Sequence, residues 1–253
     1  MEYNHIAAEI RNNIGIITLN RPKDLNTINE EMLSEIATQA ELFDKDPSVN
    51  ALIIRGNDKA FAAGIDIKEL VGKINQGTFN LSDLTSKMNI IANIKKPVIA
   101  VVAGYALGIG CELALCCDFI LAADNARFGL PEVSLGIIPS FGATQRLTYA
   151  VGKAKTMEMI LTGRAMTAEE AEKAGIVSRI IALPDLFEES IRTASRITAQ
   201  SAVAVASAKS AVKRAAANID LASGFDYENK NAELCLNSNE FKELLKNFVE
   251  KHD

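Results

Sequence analysis

The segment from Pro97 to Asp118, PVIAVVAGYALGIGCELALCCD, constrains the chain most, because it is almost wholly apolar yet carries one carboxylate, Glu112, in its interior. Val98 to Val102 reads as a buried strand rich in β-branched residues, Gly104 and Gly108 mark a turn, and Gly110 to Cys117 reads as a short apolar helix. Glu112 then falls in the first turn of that helix. Burial raises the pKa of a carboxyl group and the positive end of a helix dipole lowers it, so the two effects oppose each other here. Two readings stand on this segment alone: a surface acid that complements the helix dipole, or a buried acid of the kind that catalysis uses. A run of about 20 apolar residues is also long enough to span a bilayer. The glycines, the mid-run acid and the strand-like first half favour instead a strand-turn-helix in a protein core.

A chain of 253 residues with 48% hydrophobic residues is long enough for one large core, or a core with a small appendage. Its net charge of -5 argues against a nucleic-acid footprint, which takes a basic patch. The opening residues MEYNHIAAEI lack a basic region followed by an apolar stretch, so neither a secretory signal nor a membrane anchor is expected, and the cytoplasm is the expected compartment. Cys111, Cys116, Cys117 and Cys235 show no CxxC spacing, and three of them share one apolar helix, which predicts reduced, buried thiols. With only His5 and His252, both near the ends, a zinc site or a histidine-based triad has little to draw on. No GxSxG elbow or P-loop string is present.

Along the chain, His5 to Glu9 and Gly15 to Leu19 read as two strands of a hairpin turned by Asn12-Asn13. Asn29 is placed to cap a helix in which Met32, Ile36, Ala40 and Phe43 recur at helical spacing, ending before Pro47. Ala51 to Arg55 is a buried strand. The following GNDKAFAAGIDIKEL has little periodicity before Asp66, after which Ile67 and Leu70 fit a short helix; its small residues permit close approach of a ligand to the backbone. A helix over Ser82 to Asn93 presents Leu84, Met88 and Ile91 on one face. Phe119 to Ala122 and Ala126 to Gly129 are strand-like, and the loop LPEVSLGIIPSFGATQRL then places a second acid, Glu132. Helices are expected over Thr144 to Val151, Lys153 to Leu161 and Thr167 to Ala174, the last with a capping box between Thr167 and Glu170. From Pro184 onward the patterns are helical. The core is thus expected to be built of strand-strand-helix or strand-helix units, with a helical tail.

The glycines of GYALGIGCEL admit two readings. As a GxGxxG dinucleotide fingerprint the match fails at its third glycine, where Leu113 stands, and the helix is short for a parallel crossover. Alternatively, a tight glycine turn into a helix start exposes amide N–H groups that hold a phosphate or a developing oxyanion. A second amide from the AAGID loop would complete a two-donor hole, each donor worth roughly 3 kcal/mol of transition-state stabilisation. With two carboxylates added, the set is an acid/base site suited to forming an enolate.

ITLNRPKDLNTIN, KAFAAGIDIKEL, the long segment from Lys95 to Pro139, ATQRL and LTGRAMTAEEAEKAGIVSRI, taken together and in this order, resemble the crotonase, or enoyl-CoA hydratase/isomerase, superfamily over nearly the whole chain. The resemblance implies an α/β fold: a spiral of strand-strand-helix turns over residues 1–195, then a C-terminal helical region over 196–253 that makes trimers or dimers of trimers. It implies an acyl-CoA thioester substrate whose carbonyl accepts hydrogen bonds from the Ile65 and Ile109 amides. It also implies catalytic roles for Glu112, in GCEL, and Glu132, in LPEV, which together favour hydration over isomerisation. Lys23, Leu25 and Lys68 would line the coenzyme A portion, with Ala63, Asp66, Ile67, Gly108, Pro131, Ser140 and Phe141 also around the substrate. No cofactor is expected beyond the coenzyme A that the substrate carries, and no metal, nucleic acid or membrane partner.

This sequence departs from the family pattern where substrate choice is made. Isoleucines stand at both amide-donor positions, in place of the usual small residue and glycine. The family's PGAGGTQR reads Pro139, Ser140, Phe141, Gly142, Ala143, Thr144, Gln145, Arg146 here, so Phe141 replaces a small residue and Ser140 replaces the glycine whose amide helps place the water. The expected activity is reversible syn addition of water to a short 2-enoyl-CoA. Its rivals are an isomerase, a hydratase of branched or cyclic acyl-CoA, and a non-catalytic binding protein of the same fold.

Overall fold

The computed structural model describes residues 3–216 and 220–250; His252 and the terminal Asp253 lie outside them. The chain opens with the antiparallel hairpin β1 (Ile6–Arg11) and β2 (Ile14–Leu19). Asn12 and Asn13 turn it with φ of +52° and +63°, the left-handed region that asparagine tolerates and a tight hairpin demands. β2 then pairs in parallel with β3 (Ala51–Arg55), which pairs with β5 (Val98–Val102), then β7 (Phe119–Ala123), then β10 (Arg179–Ile181). This is one six-stranded sheet in the order β1-β2-β3-β5-β7-β10.

A second sheet, in the order β4-β6-β8-β9, takes β4 (Ala60–Ala62), β6 (Tyr105–Leu107) and β8 (Arg127–Gly129) in parallel and β9 (Ala165–Thr167) antiparallel to β8. The chain alternates between the sheets: β3 then β4, β5 then β6, β7 then β8. Each turn of the chain therefore gives one strand to each sheet, the expected strand-strand-helix spiral. Sequence reading left Ala60–Ala62 in an aperiodic segment and took Tyr105–Leu107 as part of a turn, and both are strands. At three residues such strands are too short to show a period; ladder bonds from their neighbours fix them.

The strands of the large sheet alternate as period two requires. Leu52, Ile54, Val98, Ala100, Val102, Ile120 and Ala122 face the main core, together with α1 (Glu30–Lys45), α3 (Leu81–Ala92) and α4 (Ile109–Cys116). Ile53, Ile99 and Leu121 face the other way, onto Leu186, Ile191 and Ala194 of α7 (Leu186–Thr198). Asn29 caps α1 by accepting the Met32 amide at 2.8 Å, as expected. Asp66 caps α2 (Ile67–Gln76) through the Lys68 and Glu69 amides. The two helices expected either side of Gly152 form α5 (Ala143–Thr162), interrupted at Gly152 by φ +79°, ψ 164°. Thr167 and Glu170 form the expected capping box on α6 (Ala168–Ala174).

The C-terminal helices are α8 (Ala202–Ala216), α9 (Leu221–Leu236) and α10 (Asn239–Glu250); the helical region expected from residue 196 starts inside the last turn of α7. α8 is held on the core by Lys209, whose Nζ lies 2.6 Å from Asp118 Oδ2 and 2.7 Å from the Lys96 carbonyl, and by Lys213 on the Ala92 carbonyl. Neither α8 nor α9 buries a residue fully, and Val212, Leu221, Phe225, Leu234 and Leu236 are exposed. Among the described residues no helix is long and apolar enough to cross a membrane.

Candidate active site

β4, β6 and β8 lie side by side in the small sheet and run in parallel, so their carboxyl ends share one edge. The residues that leave that edge carry the expected chemistry: Ala63-Gly64-Ile65 after β4, Gly108-Ile109 after β6, and Leu130-Pro131-Glu132 after β8. Neighbouring strands are spaced by about 4.8 Å, which sets the interval between the three groups. The exits are sharp because Gly64 and Gly108 take φ of +120° and +51°. They are also close: a Cβ built on Gly108 would lie 3.2 Å from Glu132 Oε1 and 3.8 Å from Gly64 Cα.

Ile65 is held from both sides. Ile28 donates its amide to the Gly64 carbonyl at 2.8 Å, and Asp66 donates to the Ile28 carbonyl at 2.9 Å. Ile109 is the first residue of α4, where helix geometry leaves amides without an intrahelical acceptor and Gly108 offers no side-chain cap. Among the described residues neither the Ile65 nor the Ile109 amide donates to a protein acceptor. The side chains of both isoleucines line a cavity of about 20 Å³ with Ile28, Leu70, Phe79 and Leu84, room for about one water molecule.

Glu112, in the first turn of α4, is 1% exposed. Its Oε1 accepts two backbone amides, from Phe141 at 2.8 Å and Ala143 at 3.0 Å. Burial pushes its carboxyl up to about 7; the two amides and the Arg146 charge oppose that rise, while the Glu132 charge adds to it. Glu132 sits in a 3-10 turn, Pro131–Leu135, and burial raises its pKa too. Its Oε2 is buried and has no hydrogen-bond partner among the described residues. An orphaned carboxylate oxygen is costly in a folded core, and it marks the place where a reacting group would be received.

The loop before α5 carries its donors in the backbone. Ser140 is exposed and its hydroxyl donates to the Ile138 carbonyl at 2.8 Å, while the Phe141 ring belongs to the main core cluster. The Phe141 and Ala143 amides are the ones that meet Glu112. Around the expected coenzyme A side, the Ala63 amide donates to the Leu25 carbonyl at 3.1 Å, which brings these two segments together. Arg21 joins Asp66 at 2.9 Å, so the cap of α2 is tied to the same loop. Lys23, Lys68 and Ile67 are exposed beside it. Sequence reasoning did not single out Asn26, Ala143 or Arg146. Asn26 is fully buried and links the Arg21 amide to the Ala60 carbonyl of β4; its signal was the NRPKDLN string itself. Ala143 acts through its backbone, which leaves no side-chain signal.

Among the described residues no group of three or more His, Cys, Asp and Glu side chains is placed to hold a metal ion. Cys111 and Cys116 are buried and Cys117 and Cys235 partly so, all four as free thiols. Burial pushes the Cys116 thiol up to about 11 and raises Cys111 and Cys117 as well, which leaves them unreactive.

The family model for enoyl-CoA hydratase/isomerase matches residues 9–253. A probable enoyl-CoA hydratase of Mycobacterium tuberculosis (strain CDC 1551 / Oshkosh) is 45% identical over 251 residues, 99% of this chain and 97% of that protein. The mitochondrial enoyl-CoA hydratase of Pongo abelii is 43% identical over 252 residues, 98% of this chain and 86% of that protein. Among solved structures, an enoyl-CoA hydratase subunit I from Geobacillus kaustophilus HTA426 superposes with a TM-score of 0.93 at 39% identity, covering 99% of this chain and 97% of that one.

Proposed function

The chain belongs to the enoyl-CoA hydratase/isomerase family and acts as an enoyl-CoA hydratase, and we propose that it adds water reversibly and syn across the double bond of a short 2-enoyl-CoA. The observation that carries this reading is the convergence of buried Glu112, of Glu132 with its buried, unpartnered Oε2, and of two unpaired amides at one edge of the small sheet. In the proposed route the thioester carbonyl sits between the Ile65 and Ile109 amides, each worth roughly 3 kcal/mol once the oxygen becomes an enolate oxygen. Glu112 takes a proton from water as the oxygen of that water bonds to the β-carbon. Glu132 gives its proton to the α-carbon, so the elements of water are added and the two acids exchange protonation.

The surroundings suit that division. Two carboxyls in one site, Glu112 buried and Glu132 partly so, titrate as a pair and disfavour a double charge. The amides of Phe141 and Ala143 favour the charged form of Glu112, and the unpartnered oxygen of Glu132 suits the protonated form. The route asks for no metal or redox group, and coenzyme A enters as part of the substrate. Lys23 and Lys68, both exposed, would meet its phosphates as point charges. The exposed apolar side chains of α8 and α9 support self-association as a trimer or a dimer of trimers, and the free thiols fit a reducing compartment such as the cytoplasm.

The test is consumption of the conjugated thioester absorbance of crotonyl-CoA, with products weighed by mass spectrometry. Gain of one water supports hydration; a product of unchanged mass points to isomerisation, and no turnover over a panel of enoyl-CoA chain lengths overturns the reading.

A further inference from the structure

We infer that Arg146 is a positioning residue for Glu112: its guanidinium holds the Phe141 carbonyl and thereby aims the Phe141 and Ala143 amides at the Glu112 carboxylate. The inference rests on the proposed hydration reaction for its functional meaning, and on geometry for its substance. Arg146 lies in the first turns of α5, and its Nη1 donates to the Phe141 carbonyl at 2.7 Å. The amide of that same residue donates to Glu112 Oε1 at 2.8 Å, and the Ala143 amide follows at 3.0 Å. The short segment 141–143 is thus stretched between a cation on its carbonyl side and an acid on its amide side.

Gly142 shows how closely this clamp is built. It takes φ +105°, and a Cβ there would lie 2.1 Å from Arg146 Nη1, so the guanidinium rests directly against a bare Cα. Among the described residues Arg146 forms no direct ion pair, and its charge acts on the Glu112 carboxyl through space. The groups that face Glu112 are Cys111 and Cys116 on its own helix, Glu132 from the 3-10 turn, and Arg146 from α5. The buried thiols are neutral, so Arg146 is the cation that offsets Glu132 at this carboxyl. Arg146 consequently acts twice: it fixes the amides that orient Glu112, and it favours the ionised form that takes a proton from water.

The test compares Arg146→Met and Arg146→Lys with the unaltered protein in the hydration of crotonyl-CoA across pH, with thermal melts to confirm folding. A second readout, independent of turnover, is the infrared carboxyl band of Glu112, identified by its loss in Glu112→Gln. Arg146→Met is expected to lower kcat by about 10- to 100-fold with little change in KM, as for other small misplacements of a catalytic group. Its acid limb and the Glu112 infrared titration should both move to higher pH by about one unit or more, because a neighbouring cation is lost. Arg146→Lys, which keeps the charge but not the planar fork, should hold the titration in place while kcat still falls several-fold.

A folded Met variant with an unmoved titration and unchanged kcat overturns the inference. So does a folded Lys variant whose titration moves upward by about one unit or more from that of the unaltered protein, whether or not the Met variant folds. If the unaltered protein fails to hydrate enoyl-CoA, the proposed function falls, and the infrared titration still decides whether Arg146 governs Glu112.

Discussion

Gly108 stands so close to Glu132 that one added carbon at its Cα would lie 3.2 Å from the Oε1 of that acid. The contact joins the loop that presents the Ile109 amide to the acid proposed to protonate the α-carbon. Gly108→Ala should therefore shift Glu132 and also strain a backbone at φ +51°, a conformation that costs roughly 1–3 kcal/mol for other residues. We expect kcat for crotonyl-CoA to drop by about 10- to 100-fold, with a melting temperature lowered by several degrees. Stopped assays and calorimetry on the same preparation check both.

Glu112→Gln and Glu132→Gln should each lower kcat by roughly 100- to 10,000-fold, the range for loss of a general acid or base. Glutamine keeps the size of each side chain and, at position 112, still accepts the Phe141 and Ala143 amides. A folded variant with unaltered turnover would remove that residue from the mechanism.

The same Glu112→Gln variant should be more stable than its parent at neutral pH. Glu112 rises from 4.5 to about 7 on folding, so between these values the folded chain binds more protons than the unfolded one. Stability then falls as pH climbs through this window and stays low above it, by up to about 3 kcal/mol for the full shift. Thermal melts of the two proteins should coincide near pH 4.5 and diverge toward pH 8, with the glutamine variant higher. A constant gap across pH would refute the linkage. This would place Glu112 among sites where function is kept at the expense of stability.

Ile109→Ala should open the cavity that Ile109 shares with Leu70, Phe79 and Leu84. Ile109 is 3% exposed, so the truncation should cost roughly 2–5 kcal/mol in unfolding free energy. If Ile109 restricts the acyl group, the ratio of kcat/KM for longer or branched enoyl-CoA over crotonyl-CoA should rise. An unchanged ratio would free Ile109 from any part in substrate choice.

Local chemistry was the most legible part of the chain. Asn12-Asn13, the Asn29 cap, and the Thr167 and Glu170 box all act within a few residues of themselves, and each does what its side chain dictates. The strands Ala60–Ala62 and Tyr105–Leu107 were not legible, since three residues carry no period and their state is decided by partners far along the chain. At the site, Glu112 and Glu132 declared themselves as acids in apolar or glycine-rich surroundings, but the pairing of Glu112 with Phe141 and Ala143 did not. Backbone amides are the same in every residue but proline, so their direction is a product of the fold. Phe141 illustrates the gap: its side chain drew notice in the sequence, and its amide is what meets the acid.

The small sheet has a consequence for how such a site can change over generations. Its reacting groups are spaced by ladder pitch, through the pairs Ala62 with Ala106 and Leu107 with Gly129. Apart from α4, which carries Glu112, the helices between the strands set none of those intervals. Segments such as α2 and α3 could lengthen, shorten or exchange their side chains while the distance from amide to amide to acid stayed the same. A lineage could thus retool what the site accepts without rebuilding what it does.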